Sequence, residues 1–197
     1  MMRTKIQLSP AEQRLLANAE LILTKNRVLA KMQGLLEVVQ TAIEAQAQTF
    51  SKPHVFDTAP KISRGENYGG LPYLVLDYPR VFRHHDVFAV RSFFWWGNFF
   101  SSTLQLGGAF KALYLPNIEA AFSTFSNHHI CINPDPWQHH FEQDNYKWIA
   151  GMEYGEFKKL LHPYSHLKLA TKLPVTDWPQ ADIFLIENWQ TYINILA

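Results

Sequence analysis

Residues 86–106 read DVFAVRSFFWWGNFFSSTLQL, and the fold turns on whether this stretch is a ribbon folded back on itself. Two runs of β-branched and aromatic residues flank Gly97-Asn98. A glycine at the first position of a two-residue loop is what a type II′ hairpin turn needs, so the runs are predicted to pair as antiparallel strands. Counting outward sets Trp96 against Phe99, Trp95 against Phe100 and Arg91 against Leu104. Arg91 then shares the more apolar face with Val87, Ala89, Phe93, Trp95, Phe100 and Leu104. Both faces are apolar near the turn. Helices from the two ends of the chain are therefore expected to cover both.

Upstream, Ser9-Pro10-Ala11-Glu12 is a helix start with a capping box, and Leu8 precedes it as a staple. Leu8, Leu15, Ile22, Leu29, Leu36, Ile43 and Phe50 recur every seven residues, flanked by Met32 and Val39, so residues 10–49 are predicted to be helical. One helix over that span would be ~60 Å long, against a radius of gyration of about 16 Å for a compact chain of this size. Either it breaks or it packs on another subunit. A break near Thr24-Lys25-Asn26-Arg27 is expected, because Asn18 and Lys25 interrupt the inner positions and Thr24 can cap a second helix. Ser51-Lys52-Pro53 is its expected stop.

Downstream, residues 52–70 read as a connection and 71–78 as a strand limited by Pro79. A short helix is predicted over 116–125 and a strand over 129–132. Asp135-Pro136-Trp137-Gln138 has the pattern of a helix start. Helices follow over 153–161 and near 178–196. The whole reads as one α+β domain, 1–197: a helical segment at 10–49, then a core at 71–197 built on an antiparallel sheet.

Composition narrows the function. With 47% hydrophobic and 14% aromatic residues the chain can bury a bulky core or keep aromatic surface for a ligand. A net charge of +1 with no cationic run argues against nucleic acid as a partner. No stretch reads as a signal peptide or a membrane span. The single Cys131, between two isoleucines, reads as a small buried hydrophobe and suits a cytoplasmic setting.

Arg91 has two readings: a structural one, as an internal ion pair with Asp77, Asp86 or Glu66 or a stem lying over Trp95, and a functional one, as a fork for a ligand carboxylate or phosphate. Arg80 is a second anion candidate. Six of nine histidines come as adjacent pairs. His84 with Asp86, and Asp135 with His139, are the candidate metal ligands, and neither matches a ligand-spacing motif. Asp135 and His139 are also the candidate catalytic pair, an aspartate holding a histidine as general base. No cofactor is implied.

These residues suggest a domain binding a small anionic or aromatic ligand through Arg91, Tyr73, Trp95, Trp96 and Trp137, or an enzyme whose reaction they do not name. The alternatives are an interaction protein that forms homo-oligomers through the heptad stripe or the aromatic hairpin, and a metal-dependent hydrolase using the His/Asp clusters.

Overall fold

The computed structural model describes residues 6–48 and 55–197. Seven antiparallel strands form one sheet: β1 (Lys61–Tyr68), β2 (Leu71–Arg83), β3 (Asp86–Trp95), β4 (Phe99–Gly107), β5 (His129–Cys131), β6 (Tyr146–Trp148) and β7 (His166–Pro174). Their order across the sheet is β1-β2-β3-β4-β7-β5-β6. The first four form a meander, so the hairpin lies at the centre. The helices are α1 (Pro10–Leu16), α2 (Ala19–Ala47), α3 (Gly108–Ala120), α4 (Tyr154–Leu160) and α5 (Ala181–Leu196). The fold is α+β, with helices from both ends of the chain against the sheet.

The hairpin turn holds three residues rather than two. Trp95 pairs with Phe99, and Asn98 N–H donates to the Trp95 carbonyl at 3.0 Å. Gly97 has φ +71°, the left-handed backbone that glycine favours. The extra residue reverses the parity of β4. Arg91 therefore faces Thr103, not Leu104, and its neighbours on β4 are Ser101, Thr103 and Gln105. The opposite face gathers Phe88, Val90, Phe94, Phe100, Leu104 and Leu106, all at most 3% exposed. Placing all six large apolar side chains on one face outweighs the two-residue turn signal, because each buried side chain contributes about 1.5–3 kcal/mol.

That apolar face carries α2, α3 and α5. Leu29, Met32, Leu36, Val39 and Ile43 are the buried stripe of α2, and Leu185, Trp189, Tyr192 and Ile193 that of α5. Two polar handles fix α5: Trp189 Nε1 donates to the Tyr78 carbonyl at 2.6 Å, and Tyr192 Oη to the Ser102 carbonyl at 3.0 Å. Contrary to the expectation from the sequence, the helices cover only this face of the sheet. The second face is covered by an irregular strap, residues 132–145.

The capping box at Ser9 and Glu12 forms. The helical break comes at Ala17-Asn18, two turns before its expected place, because the Asn18 side chain caps α2 by accepting from Leu21 N–H at 3.2 Å. Thr24 instead bonds Glu20 along the helix surface, and α2 runs through residues 24–27 unbroken. Phe50 and the stop at Ser51-Lys52-Pro53 lie outside the described residues.

Pro79 does not end β2; the register shifts between Asp77 and Arg80 and the strand continues to Arg83. Helix α3 starts at Gly108 and carries Pro116 inside it. Asp135 caps a turn, not a helix, through Trp137 N–H at 2.9 Å. Strands β1, β6 and β7 are additions to the sequence reading.

Candidate site under the strap

The strap stays over the sheet because its backbone groups are tethered one by one. Tyr68, at the end of β1, accepts from His139 N–H at 2.7 Å and His140 N–H at 3.0 Å through one hydroxyl oxygen. Lys168, on β7 and fully buried, donates to the Gln138 carbonyl. Asn133 Nδ2 reaches the Asp144 carbonyl at 3.2 Å, and Tyr164 Oη the Ile132 carbonyl at 2.7 Å. A loop over a buried surface needs such partners, since unpaired backbone groups there are costly.

Between strap and sheet is a cavity of about 330 Å³, lined by Ser63, Tyr68, Tyr73, Val75, Asp77, Arg91, Phe93, Trp137 and His139. Its floor is an ion pair: Arg91 Nε lies 2.7 Å from Asp77 Oδ1 and Nη2 lies 3.1 Å from Oδ2. Both side chains are 11% exposed. Of the two readings of Arg91, the internal pair with Asp77 is the one formed. The guanidinium also lies 5.7 Å from the Trp137 ring and 5.9 Å from that of Phe82.

Arg91 Nη1 is 3.1 Å from His139 Nε2. A guanidinium can only donate, so Nε2 accepts and the imidazole is neutral with its proton on Nδ1. Burial first, then the charges of Lys168, Arg91 and His140, hold His139 well below its ordinary range. The Asp77–Arg91–His139 chain is thus electrically neutral as a unit. The walls are aromatic: Tyr68 stands edge-on to Tyr73, Phe93 and Trp95, with centroids 6.3, 5.8 and 5.0 Å away. Tyr73 fits over β1 because Gly65 lies opposite, where a Cβ would come within 2.3 Å of the ring.

Tyr68 also borders a second cavity, of about 370 Å³, with Trp95, Gln138, His140 and Glu142. With both lone pairs of its hydroxyl engaged, Tyr68 keeps one O–H to donate. Lys168 is held down to about 8 by burial, with the Arg91 charge adding to the effect. Cys131 is buried on the same face, and burial raises its thiol.

The structure brings Arg91, Tyr73, Trp137 and His139 together. Trp95 stands at the second cavity and donates through Nε1 to the Tyr68 carbonyl at 2.9 Å. Trp96 turns to the helix side and lines a separate groove with α2. Asp135 does not hold His139: its carboxylate accepts from Trp137 N–H and from Gln138 Nε2 at 2.8 Å, which lowers its pKa. Asp86 accepts from Ala109 N–H at 2.7 Å, and His84 sits in the β2–β3 turn with φ 50°. Arg80 Nε donates to the Ala59 carbonyl. Among the described residues no three His, Cys, Asp or Glu side chains are grouped to hold a metal.

Tyr68, Phe93, Ser63 and Lys168 are site residues the sequence reading did not single out. Two signals in the sequence bear on Tyr68 and Lys168. Gly69-Gly70 between Tyr68 and Leu71 is a two-residue hairpin pattern, and Leu167, Leu169 and Leu173 alternate around Lys168 with strand period.

No helix among the described residues is long and apolar enough to cross a membrane. No family description, curated protein or solved structure matches this chain.

Proposed function

We propose that the chain is a small-ligand-binding domain whose ligand is an uncharged, planar aromatic molecule held under the strap. One observation supports this reading most: the cavity joins aromatic walls to a floor on which the Arg91 guanidinium is already met by the Asp77 carboxylate. Asp77 takes the fork of Arg91 that a ligand carboxylate would need, which disfavours the anionic branch of the sequence expectation. A flat ring can stack against Tyr73 and Trp137. The remaining N–H groups of Arg91, the Tyr68 hydroxyl and Ser63 can orient its polar edge. A mostly apolar cavity with a few convergent donors is the common form of a ligand site, and about 330 Å³ is at the small end of the range. The hydrolase reading needs a cluster of metal ligands; among the described residues no three His, Cys, Asp or Glu side chains are grouped to hold one, and the Asp86 and Asp135 carboxylates accept from backbone N–H groups.

The test is a thermal-shift and tryptophan-fluorescence screen with indole, nicotinamide and benzamide against benzoate and inorganic phosphate. Neutral rings should raise Tm and quench fluorescence, benzoate and phosphate should not, and Trp137→Ala should abolish the response. Stronger stabilisation by the anions, or an undiminished response in Trp137→Ala, would overturn the proposal.

A second reading, a homo-oligomer built through the N-terminal stripe, is favoured by one separate observation. In α1 and the first turns of α2 that stripe is exposed: Leu15 and Ile22 are 53% and 50% accessible, whereas Leu29, Leu36 and Ile43 are at most 2%.

A further inference from the structure

We propose that the ligand under the strap meets the Asp77–Arg91 pair through an amide edge, an N–H donor beside a carbonyl acceptor, so that the class recognised is the small aromatic lactams and carboxamides. This rests on the aromatic-ligand reading of the same cavity and names its ligand class.

Donors and acceptors on the cavity floor decide the class. An ionised carboxylate offers about four lone-pair sites and a guanidinium five N–H groups. Asp77 uses one site on each oxygen: Oδ1 accepts from Arg91 Nε at 2.7 Å and Oδ2 from Nη2 at 3.1 Å. Arg91 gives a third N–H, from Nη1, to His139 Nε2 at 3.1 Å. Among the described residues nothing else takes the remainder, so each carboxylate oxygen keeps one site, and Nη1 and Nη2 keep one N–H apiece. Both side chains line the cavity and are only 11% exposed. A polar group that enters with a ligand gives up water there and must find its partners on this floor.

The unused positions are neighbours. Asp77 Oδ2 and Arg91 Nη2 stand 3.1 Å apart, an acceptor site next to a donor. Their complement is a ligand that sets a donor and an acceptor on adjacent positions. An amide does so, with its N–H to Oδ2 and its carbonyl to the free N–H of Nη2, and it carries no charge at neutral pH. A carboxylate has acceptors alone and is repelled by Asp77; an ammonium or amidinium has donors alone and is repelled by Arg91. Indole brings an N–H with no acceptor beside it, and an aryl ketone brings the reverse, so each leaves one floor group unmatched.

The walls set what carries the amide. The Trp137 ring lies 5.7 Å from the guanidinium, and Tyr73 lies 5.6 Å from Phe93, so aromatic surface begins where the polar floor ends. A cavity of about 330 Å³ is at the small end for ligand sites and suits one ring or two fused rings. His139 holds the guanidinium from its Nη1 end while Asp77 holds the Nε end, which fixes the direction of the N–H groups left over.

Isocarbostyril, a bicyclic aromatic lactam, and isocoumarin, its lactone, test this. They share one shape, with a ring oxygen in the lactone where the lactam has N–H. Titration calorimetry on the wild-type chain should give an affinity for the lactam about ten- to a hundred-fold above that for the lactone, the effect of one hydrogen bond to a charged group. Benzamide should likewise bind more tightly than indole. In Asp77→Asn, with folding checked by circular dichroism, the preference for the lactam should shrink several-fold. The wild-type comparison decides the ligand class whether or not that variant folds. Equal affinities for lactam and lactone, both lost in Trp137→Ala, would overturn the amide edge and leave the aromatic reading standing. Absence of binding by every ring, indole and benzamide included, would overturn both. A lactam preference undiminished in a folded Asp77→Asn would overturn the assignment of the acceptor to Asp77.

Discussion

The two faces of this sheet are built from the same strands and are closed in different ways. On the helix side, Phe88, Val90, Phe94, Phe100, Leu104 and Leu106 meet the stripes of α2, α3 and α5, and the polar atoms that enter with α5 find backbone carbonyls. On the strap side, the same strands present Asp77, Arg91, Ser101, Thr103, Gln105 and Lys168, under fourteen residues with no regular structure. A helix satisfies its own backbone and needs only an apolar stripe. A strap must be tied group by group, and the ties leave space between them. Both cavities that share Tyr68 lie on that side. The helix side closes by packing, the strap side leaves the space in which the proposed binding would take place, and the difference can be tested.

The largest effect is expected at the ion pair. Arg91→Leu leaves the Asp77 carboxylate, on a side chain 11% exposed, without its mate. Breaking a buried pair from one side costs about 3–5 kcal/mol. Replacing both, Arg91→Leu with Asp77→Leu, should recover most of that loss, because the charge that required compensation is gone. Urea denaturation of the two single variants and the double variant measures the coupling. A single-variant cost under about 1 kcal/mol would mean the pair is solvated, and the strap side would lose its distinction as a closed polar interior.

Protonation probes both faces. His128 packs between Phe125 and Tyr192 on the helix side and is pushed down to about 4, chiefly by burial. His139 on the strap side is lowered in the same sense. Both are neutral in the fold and gain a proton more readily when unfolded. The unfolded chain then binds more protons between the ordinary pKa of 6.5 and the depressed one, so stability falls as pH drops through that window. For His128 the loss is on the order of 3 kcal/mol between pH 6.5 and 4. His128→Leu should flatten the urea midpoint over pH 7 to about 4.5, leaving a residual slope from His139. A slope unchanged by this variant would show that His128 is reached by water.

Periodicity made the helix side legible in the sequence. The stripe Leu29-Leu36-Ile43 with Met32 and Val39 fixes the buried face of α2, and the alternation of β3 separates Phe88, Val90 and Phe94 from Arg91. The strap side was legible only in its parts. Arg91 and its mate Asp77 were named, as were Tyr73, Trp137 and His139, but nothing local tied Asp135 to a turn instead of to His139. The carboxylate that matters to Arg91 lies fourteen residues away on β2, and the tyrosine that anchors the strap lies seventy-one residues from it. Such pairings come from strand order, which a motif does not encode. The two-residue reading of Gly97-Asn98 failed for a related reason. A turn preference worth about 1 kcal/mol competes with the burial of six large side chains, and the side chains set the register.

The smallest predicted effect tests that last point. A Cβ at position 97 would meet no atom within 4 Å, so the cost of Gly97→Val comes from φ +71° alone. A left-handed backbone costs a residue with a side chain roughly 1–2 kcal/mol, and a β-branched one is at the upper end. Gly97→Asn should cost less, since asparagine tolerates this region. If the strands set the register, Gly97→Val should lower the urea midpoint by that amount while the aromatic-ligand response of the strap side keeps its affinity. If the turn sets it, β4 would slip by one residue in Gly97→Val, Leu104 would move against Arg91, and ligand binding and the cooperative unfolding of the helix side would be lost together.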